Sequence, residues 1–453
     1  MTRRDFLPAF TAAPAFVRAL SGSAGDRPNV LWILAEDHGP QLGCYGFAGV
    51  RTPNLNRLAE EGVRFTRCHT TAPVCSASRS ALNVGLYQTT TGTHHHRSHR
   101  KDGYRLPEGA ALVSQRLRDA GYYTANVLQF APNARGQGKT DFNFIVEGPP
   151  FEGTHWNQRG KGQPFYAQVN FAATHKGPAF VEARRQKMLT DPAAVELPPY
   201  WPDHPVVRNE YANYLDCVNL LDEKVGILLD TLKKDGTLEN TAIFFMGDNG
   251  RCLIRGKQWC YDAGTHVPLL AKIPGAAKAG AVREDPVLSL DMTASTLALA
   301  GVPLPKQFHG QALFDEKVKP REYVVTARDR CDMTMDRIRA VRDGRYAYIR
   351  NFMPERPYTQ QNDYIEQQYP TLGAMKELHA QGKLNAVQSL FMAARKPEVE
   401  FYDVQADPHE VRNLAADSGQ RQRVAEFAAR LDKWMKETGD RGGEREAAEA
   451  SML

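Results

Sequence analysis

Three apolar runs that each stop abruptly at a polar cluster constrain this chain most. "NVLWILA" (29–35) ends at Glu36 and Asp37, "PFYAQVNFAATH" (164–175) ends at His175, and "TAIFFMGDNG" (241–250) ends at Asp248 and Asn249. Each run is too uniformly apolar for a strand with one wet face. Helical patterns lie between them, as in "TPNLNRLAEEG" (52–62) and "YANYLDCVNLLDEKVGILLDTLKKDG" (211–236). Such runs read as parallel strands buried under helices on both faces. Sites in sheets of this kind lie beyond the carboxyl ends of the strands, so parallel strands would bring Glu36, Asp37, His175, Asp248 and Asn249 to one edge.

From about residue 321 the pattern changes to short alternating segments, "IRAVRDGRYAYIRNF" and "EFYDVQADPHEVRNLA", followed by the helix-like "RQRVAEFAARLDKWMKE". The expected fold is therefore α/β: a large, mostly parallel central sheet flanked by helices over 25–320. A smaller antiparallel sheet with a packed helix follows over 321–453.

The 453 residues are 42% hydrophobic and 24% charged, which suits a globular chain and excludes disordered and collagen-like classes. A net charge of +5 is no signature of nucleic-acid binding. Residues 1–24 pair Arg3 and Arg4 with an apolar run from Phe6 to Val17 and then small residues, the layout of a twin-arginine export signal. That run is too short to span a bilayer, so export to the periplasm without a permanent membrane anchor is expected. Seven cysteines are scattered without Cys-x-x-Cys pairs, which indicates neither a zinc site nor a disulfide framework. Spacing leaves open whether Cys252 and Cys260 bridge or remain free thiols.

Three acids and an amide are hard oxygen ligands, suited to calcium or magnesium rather than zinc. Without a cation such a cluster repels itself. Taken alone, "DNG" is also a common turn sequence. In "APVCSASRSALNVG" (72–85), Cys75 and Arg79 stand one helical turn apart at a helix start. Free amides, the helix dipole and a planar guanidinium make a seat for sulfate or phosphate. The spacing is equally that of a buried cysteine and a surface arginine.

With its surroundings, "CSASR" resembles the signature Cys-x-Pro/Ala-x-Arg of the formylglycine-dependent sulfatases, members of the alkaline phosphatase superfamily. The similarity runs from "NVLWILAEDHG" to "FYDVQADPHEVRNLA". It implies an alkaline phosphatase-like fold and a nucleophile made by oxidising Cys75 to formylglycine. A formylglycine-generating enzyme would be the partner during maturation. It further implies calcium held by Glu36, Asp37, Asp248, Asn249 and the modified Cys75. Arg79, His175 and Lys257 would meet the sulfate. Glu36 is longer than the aspartate the family has there.

One departure stands out. The family's Gly-Lys-x-His stretch, which supplies a sulfate-binding lysine and a histidine near the nucleophile, is here "QFAPNARGQGKTDFNF" (129–144). Lys139 keeps the lysine, but Asp141 stands in the histidine's place. Either the proton transfer differs, or His94, His95 or His96 in "TGTHHHRSHR" substitutes, His94 first because it lies nearest in sequence to the helix of Cys75. The implied activity is hydrolysis of a sulfate ester or sulfamate on a sulfated sugar or glycan. The C-terminal segments resemble heparan N-sulfatases (sulfamidases), which points to glycosaminoglycan degradation. Two other readings remain: a phosphonate or phosphate ester hydrolase, and a non-catalytic sulfoglycan-binding protein.

Overall fold

The computed structural model describes residues 27–185, 190–275 and 278–444. The export segment expected over 1–24 lies outside the described residues. Fourteen strands are described. β1 (Asn29–Ala35), β2 (Val63–His69), β3 (Tyr123–Asn126), β6 (Phe165–Phe171), β7 (Thr241–Gly247), β8 (His266–Lys272), β9 (Ala281–Arg283) and β10 (Val287–Leu288) form the large sheet. Its order is β10-β2-β8-β7-β1-β6-β3, with β9 beside β2. β4 (Gln129–Ala131) and β5 (Ala134–Arg135) make a small hairpin.

β1 is central and pairs in parallel with both β6 and β7. Ala35 lies opposite Phe171 on one side and Gly247 on the other. Because the three strands end at one level, the residues that follow them leave the sheet together. β8 runs antiparallel to β7 and β2, so the sheet is mixed but mostly parallel. Every residue of β1, β6 and β7 is buried, since both faces are covered. Leu31, Ile33 and Ala35 pack toward the 30-residue helix Pro205–Lys234. Val30, Trp32 and Leu34 pack on the opposite side, with Leu117, Met292 and Leu297 from two further helices.

β11 (Val324–Arg328), β12 (Ile338–Arg342), β13 (Tyr346–Asn351) and β14 (Val399–Asp403) form an antiparallel meander. The helix Arg421–Thr438 covers one face of it through Phe427, Leu431 and Trp434. Ile338, Ala340, Ala347 and Ile349 on the other face join the core of the large sheet. Between β13 and β14 the chain makes three short helices, Asp363–Gln368, Pro370–Ala380 and Ala386–Leu390. They pack back on the helix Pro205–Lys234, whose Glu210 accepts a hydrogen bond from the Thr371 amide at 2.9 Å. All seven cysteines are free, including Cys252 and Cys260. No helix among the described residues is long and apolar enough to cross a membrane.

Candidate active site

The helix Cys75–Val84 is buried along its whole length. Val74, in extended conformation, precedes it, and no side chain caps its start, so the first-turn amides have no side-chain partner. Gly85 ends it in a left-handed conformation (φ 78°), where a Cβ would strike the ring of Phe308.

This helix meets the common edge of β1, β6 and β7. Cys75 Sγ lies 3.6 Å from Asp37 Oδ1. One turn on, Arg79 donates from Nε to Asp248 Oδ2 and from Nη1 to Asn170 Oδ1, both at 2.7 Å. Its Nη2 lies 3.8 Å from Glu36 Oε1. Lys257 Nζ sits 2.9 Å from Asp37 Oδ1 and 3.0 Å from Oδ2. Lys139 Nζ bonds Glu36 Oε2 at 3.0 Å and stands 3.4 Å from Asp141 Oδ2. His175 Nε2 lies 3.8 Å from both Glu36 Oε2 and Asp37 Oδ2, and its Nδ1 contacts the Lys176 carbonyl at 2.6 Å. Nine of the ten site residues expected from sequence are thus drawn together: Glu36, Asp37, Cys75, Arg79, Lys139, His175, Asp248, Asn249 and Lys257.

The electrostatics follow from burial and pairing. Burial pushes the Asp37 carboxyl up, but Lys257, His175 and the Asn249 amide outweigh it and hold Asp37 at about 2. Burial raises the Cys75 thiol well above its ordinary range, so the unmodified side chain is a neutral thiol. Burial works against the charges of Arg79, Lys139 and Lys257, yet the surrounding acids keep all three protonated. Asp248 is raised by burial against the pull of Arg79.

The oxygen donors fit a hard cation. Glu36 Oε1 and Asn249 Oδ1 are buried without a hydrogen-bond partner, and lysine or arginine nitrogens lie against the remaining carboxylates. Asp37, Cys75 and His175 also offer ligand atoms within 4.8 Å of one another.

His94 is the residue not brought in. It is buried with neither ring nitrogen bonded, and the charges around it are Arg339, Asp440, Arg441 and Glu444, far along the chain. Its neighbour His95 accepts from the Arg330 amide at 3.1 Å. The histidine that faces the site is His96, whose Nδ1 lies 2.9 Å from Asp332 Oδ1 and which feels the charges of Lys257 and Asp141. Proximity in sequence misleads here because consecutive loop residues point in different directions; Arg97, in left-handed conformation (φ 57°), turns the chain and its amide bonds Ser76 Oγ at 2.8 Å. Asp141 pairs with Arg100 at 2.5 Å as well as facing Lys139. Asp37, Asp141, Gln258 and Asp332 are likewise left-handed, with φ between 50° and 80°. Strain of this kind collects where surrounding structure fixes a functional arrangement.

Asn170, Ser78, Asp332 and Tyr364 were not legible as site residues. Asn170 had a signal, a polar side chain inside the fully buried strand "FYAQVNF". Ser78, whose Oγ donates to the Asp248 carbonyl at 2.5 Å, had only its place in the helix. Tyr364 and Asp332 arrive from the C-terminal part of the chain, with no local motif.

Cations gathered around Cys75 with acids behind them, at one edge of this mixed sheet, accord with a sulfatase of the alkaline phosphatase superfamily, the class the family match shows. The chain belongs to the sulfatase family, whose profile matches residues 28–302, and it is a sulfuric ester hydrolase. A second profile, the C-terminal region of N-sulphoglucosamine sulphohydrolase, matches residues 253–355. An ulvan-active sulfatase of Formosa agariphila is 32% identical, covering 92% of this chain and 76% of that protein. N-sulphoglucosamine sulphohydrolase of Homo sapiens is 26% identical, covering 91% and 90%. Among solved structures, one determined with its substrate D-glucosamine-2-N,6-O-disulfate superposes with a TM-score of 0.67 at 17% identity, over 93% of this chain and 100% of that one. The phosphonate monoester hydrolase of Agrobacterium radiobacter gives 0.66 at 18% identity, over 91% and 96%.

Proposed function

We propose that this sulfatase acts on sulfated glycans, with a glucosamine-type sulfate or sulfamate as substrate, through formylglycine at position 75 and a calcium ion. The carrying observation is Cys75 at an uncapped helix start, 3.6 Å from Asp37 and encircled by Arg79, Lys139 and Lys257. A buried, neutral thiol is a poor nucleophile, which favours its replacement by another group. Formylglycine would supply a hydrate hydroxyl to attack sulfur and a second hydroxyl whose loss of a proton releases sulfate. Calcium, held by Glu36, Asp37, Asp248, Asn249 and residue 75, would supply Lewis acidity toward a sulfuryl oxygen.

The chain's own residues do the rest. Arg79 is fixed by Asp248 and Asn170, so its guanidinium is oriented before substrate arrives. Lys139 and Lys257 are pinned by Glu36 and Asp37 and meet the growing charge on the sulfuryl oxygens. His175 turns Nε2 toward Glu36 and Asp37, with Nδ1 engaged by the Lys176 carbonyl. His96, oriented by Asp332, takes the proton-transfer role that Asp141 cannot.

Cys75 is 2% exposed in the folded chain, so the formylglycine-generating enzyme would act before folding is complete. Residues 1–24 would direct the protein to the periplasm as a twin-arginine signal. The glucosamine assignment leans on the C-terminal profile match and on the names of the relatives. The test is sulfate release by purified protein from N-sulfoglucosamine and from glucosamine 6-sulfate, set beside phenol release from an aryl phosphodiester, with and without chelation. Calcium-restorable release from either sugar supports the reading. Faster phosphodiester cleavage favours the phosphonate hydrolase reading, and absence of turnover favours a sulfoglycan-binding protein.

A further inference from the structure

Tyr364, from the short helix Asp363–Gln368 of the C-terminal part, leans over the site. Its ring centroid lies 5.4 Å from Lys257 Nζ and 6.4 Å from the His175 ring. Its side chain also feels the charges of Asp37 and Cys75. The hydroxyl is buried and has no hydrogen-bond partner in the protein. Leaving such a group unpaired destabilises the fold, a cost a phenylalanine of the same shape would not carry. Burial raises the phenol far above its ordinary range, so the oxygen keeps its proton as a donor.

The helix and the ring that carry this hydroxyl are held from two sides. The Asn362 side chain caps the short helix by accepting from the Ile365 amide at 3.1 Å. Its Nδ2 reaches Asp332 Oδ2 at 3.4 Å and Gln258 Oε1 at 3.5 Å, and Gln258 adjoins Lys257. Tyr369 packs edge-on beneath, with ring centroids 5.7 Å apart. Tyr369 also has an unpartnered hydroxyl, but it is fully buried under Lys176, whereas Tyr364 is only half-buried as a residue and its ring lies beside Lys257 and His175.

Resting on the sulfatase reading, we propose that Tyr364 is a catalytic residue whose O–H donates a hydrogen bond to the bridging oxygen or nitrogen that joins sulfur to the sugar. The proton stays on the phenol. As the bond from sulfur to that atom breaks and its electron pair moves to the leaving group, the hydrogen bond strengthens with the developing charge. The contribution is therefore largest for a basic leaving group, a sugar alkoxide or amine, and small for a phenolate that leaves unaided.

The experiment compares wild type and Tyr364→Phe on a glucosamine sulfate and on 4-nitrophenyl sulfate. The expected result is a fall in kcat/KM of roughly 10- to 100-fold on the sugar, less than about 3-fold on the aryl ester, and a melting temperature no lower than that of wild type. Equal falls on both substrates, or none on either, would overturn the assignment. A second arm needs no turnover. In a Cys75→Ala background, Tyr364→Phe should weaken binding of the sulfated glucosamine while leaving inorganic sulfate binding unchanged; unchanged sugar binding contradicts the contact. Failure of wild type to release sulfate would count against the formylglycine mechanism, while the binding arm still decides on Tyr364.

Discussion

Arg79 Nε donates to Asp248 Oδ2 at 2.7 Å with both side chains fully buried, and this pair ties the helix of Cys75 to the end of β7. The two residues are 169 positions apart in the chain, so their meeting is a product of the fold. Removing one partner leaves the other as an uncompensated buried charge. Arg79→Ala should therefore cost about 3–5 kcal/mol of stability as well as turnover, measured by chemical denaturation. Arg79→Lys keeps the charge but not the fork that reaches Asn170 and Asp248 together, so it should recover most of the stability and little of the activity.

Lys139 bridges two acids from different parts of the chain, Glu36 at 3.0 Å and Asp141 at 3.4 Å. Lys139→Ala should cost about 2–4 kcal/mol in transition-state stabilisation, seen as a fall in kcat/KM. A surface lysine would cost almost nothing. Asp141→Asn should give a smaller loss, because Glu36 still holds the ammonium.

The contrast between these residues and Tyr364 shows what a sequence can carry. Glu36, Asp37, Asp248 and Asn249 were legible because each follows an apolar run that must be a buried strand, and parallel strands end on one edge. Cys75 and Arg79 were legible from one helical step. The four-stranded meander was legible from its alternation. Asp332 and Tyr364 were not, because their places depend on how the β11–β12 loop and the excursion between β13 and β14 fold back toward the site, and no local pattern encodes that. Sequence distance even misdirected the choice among the three histidines.

His96→Ala should reshape the pH profile of turnover, whereas His94→Ala should leave both limbs in place. His96 faces Asp332 at 2.9 Å and feels Arg97, Lys257 and Asp141, while His94 sits among Arg339, Asp440, Arg441 and Glu444. Steady-state kinetics of both variants from acid to neutral pH provide the check.

Stability should fall on acidification over a defined window. Burial holds His38, His94 and His95 at about 3, against 6.5 in the unfolded chain. Such groups bind fewer protons folded than unfolded, so their stabilisation is complete above about pH 6.5 and is lost as pH falls toward 3. Asp248, raised by burial, works in the opposite direction. Melting temperature measured across pH should drop below about 6.5, and His94→Gln should flatten part of the drop without altering turnover at neutral pH.

The most direct measurement is the mass of the tryptic peptide 68–79, "CHTTAPVCSASR", from a preparation that releases sulfate. The account predicts that Cys75 has lost its sulfur and carries an aldehyde oxygen, in proportion to the specific activity of each preparation. An active preparation in which residue 75 is entirely an unmodified thiol would contradict it.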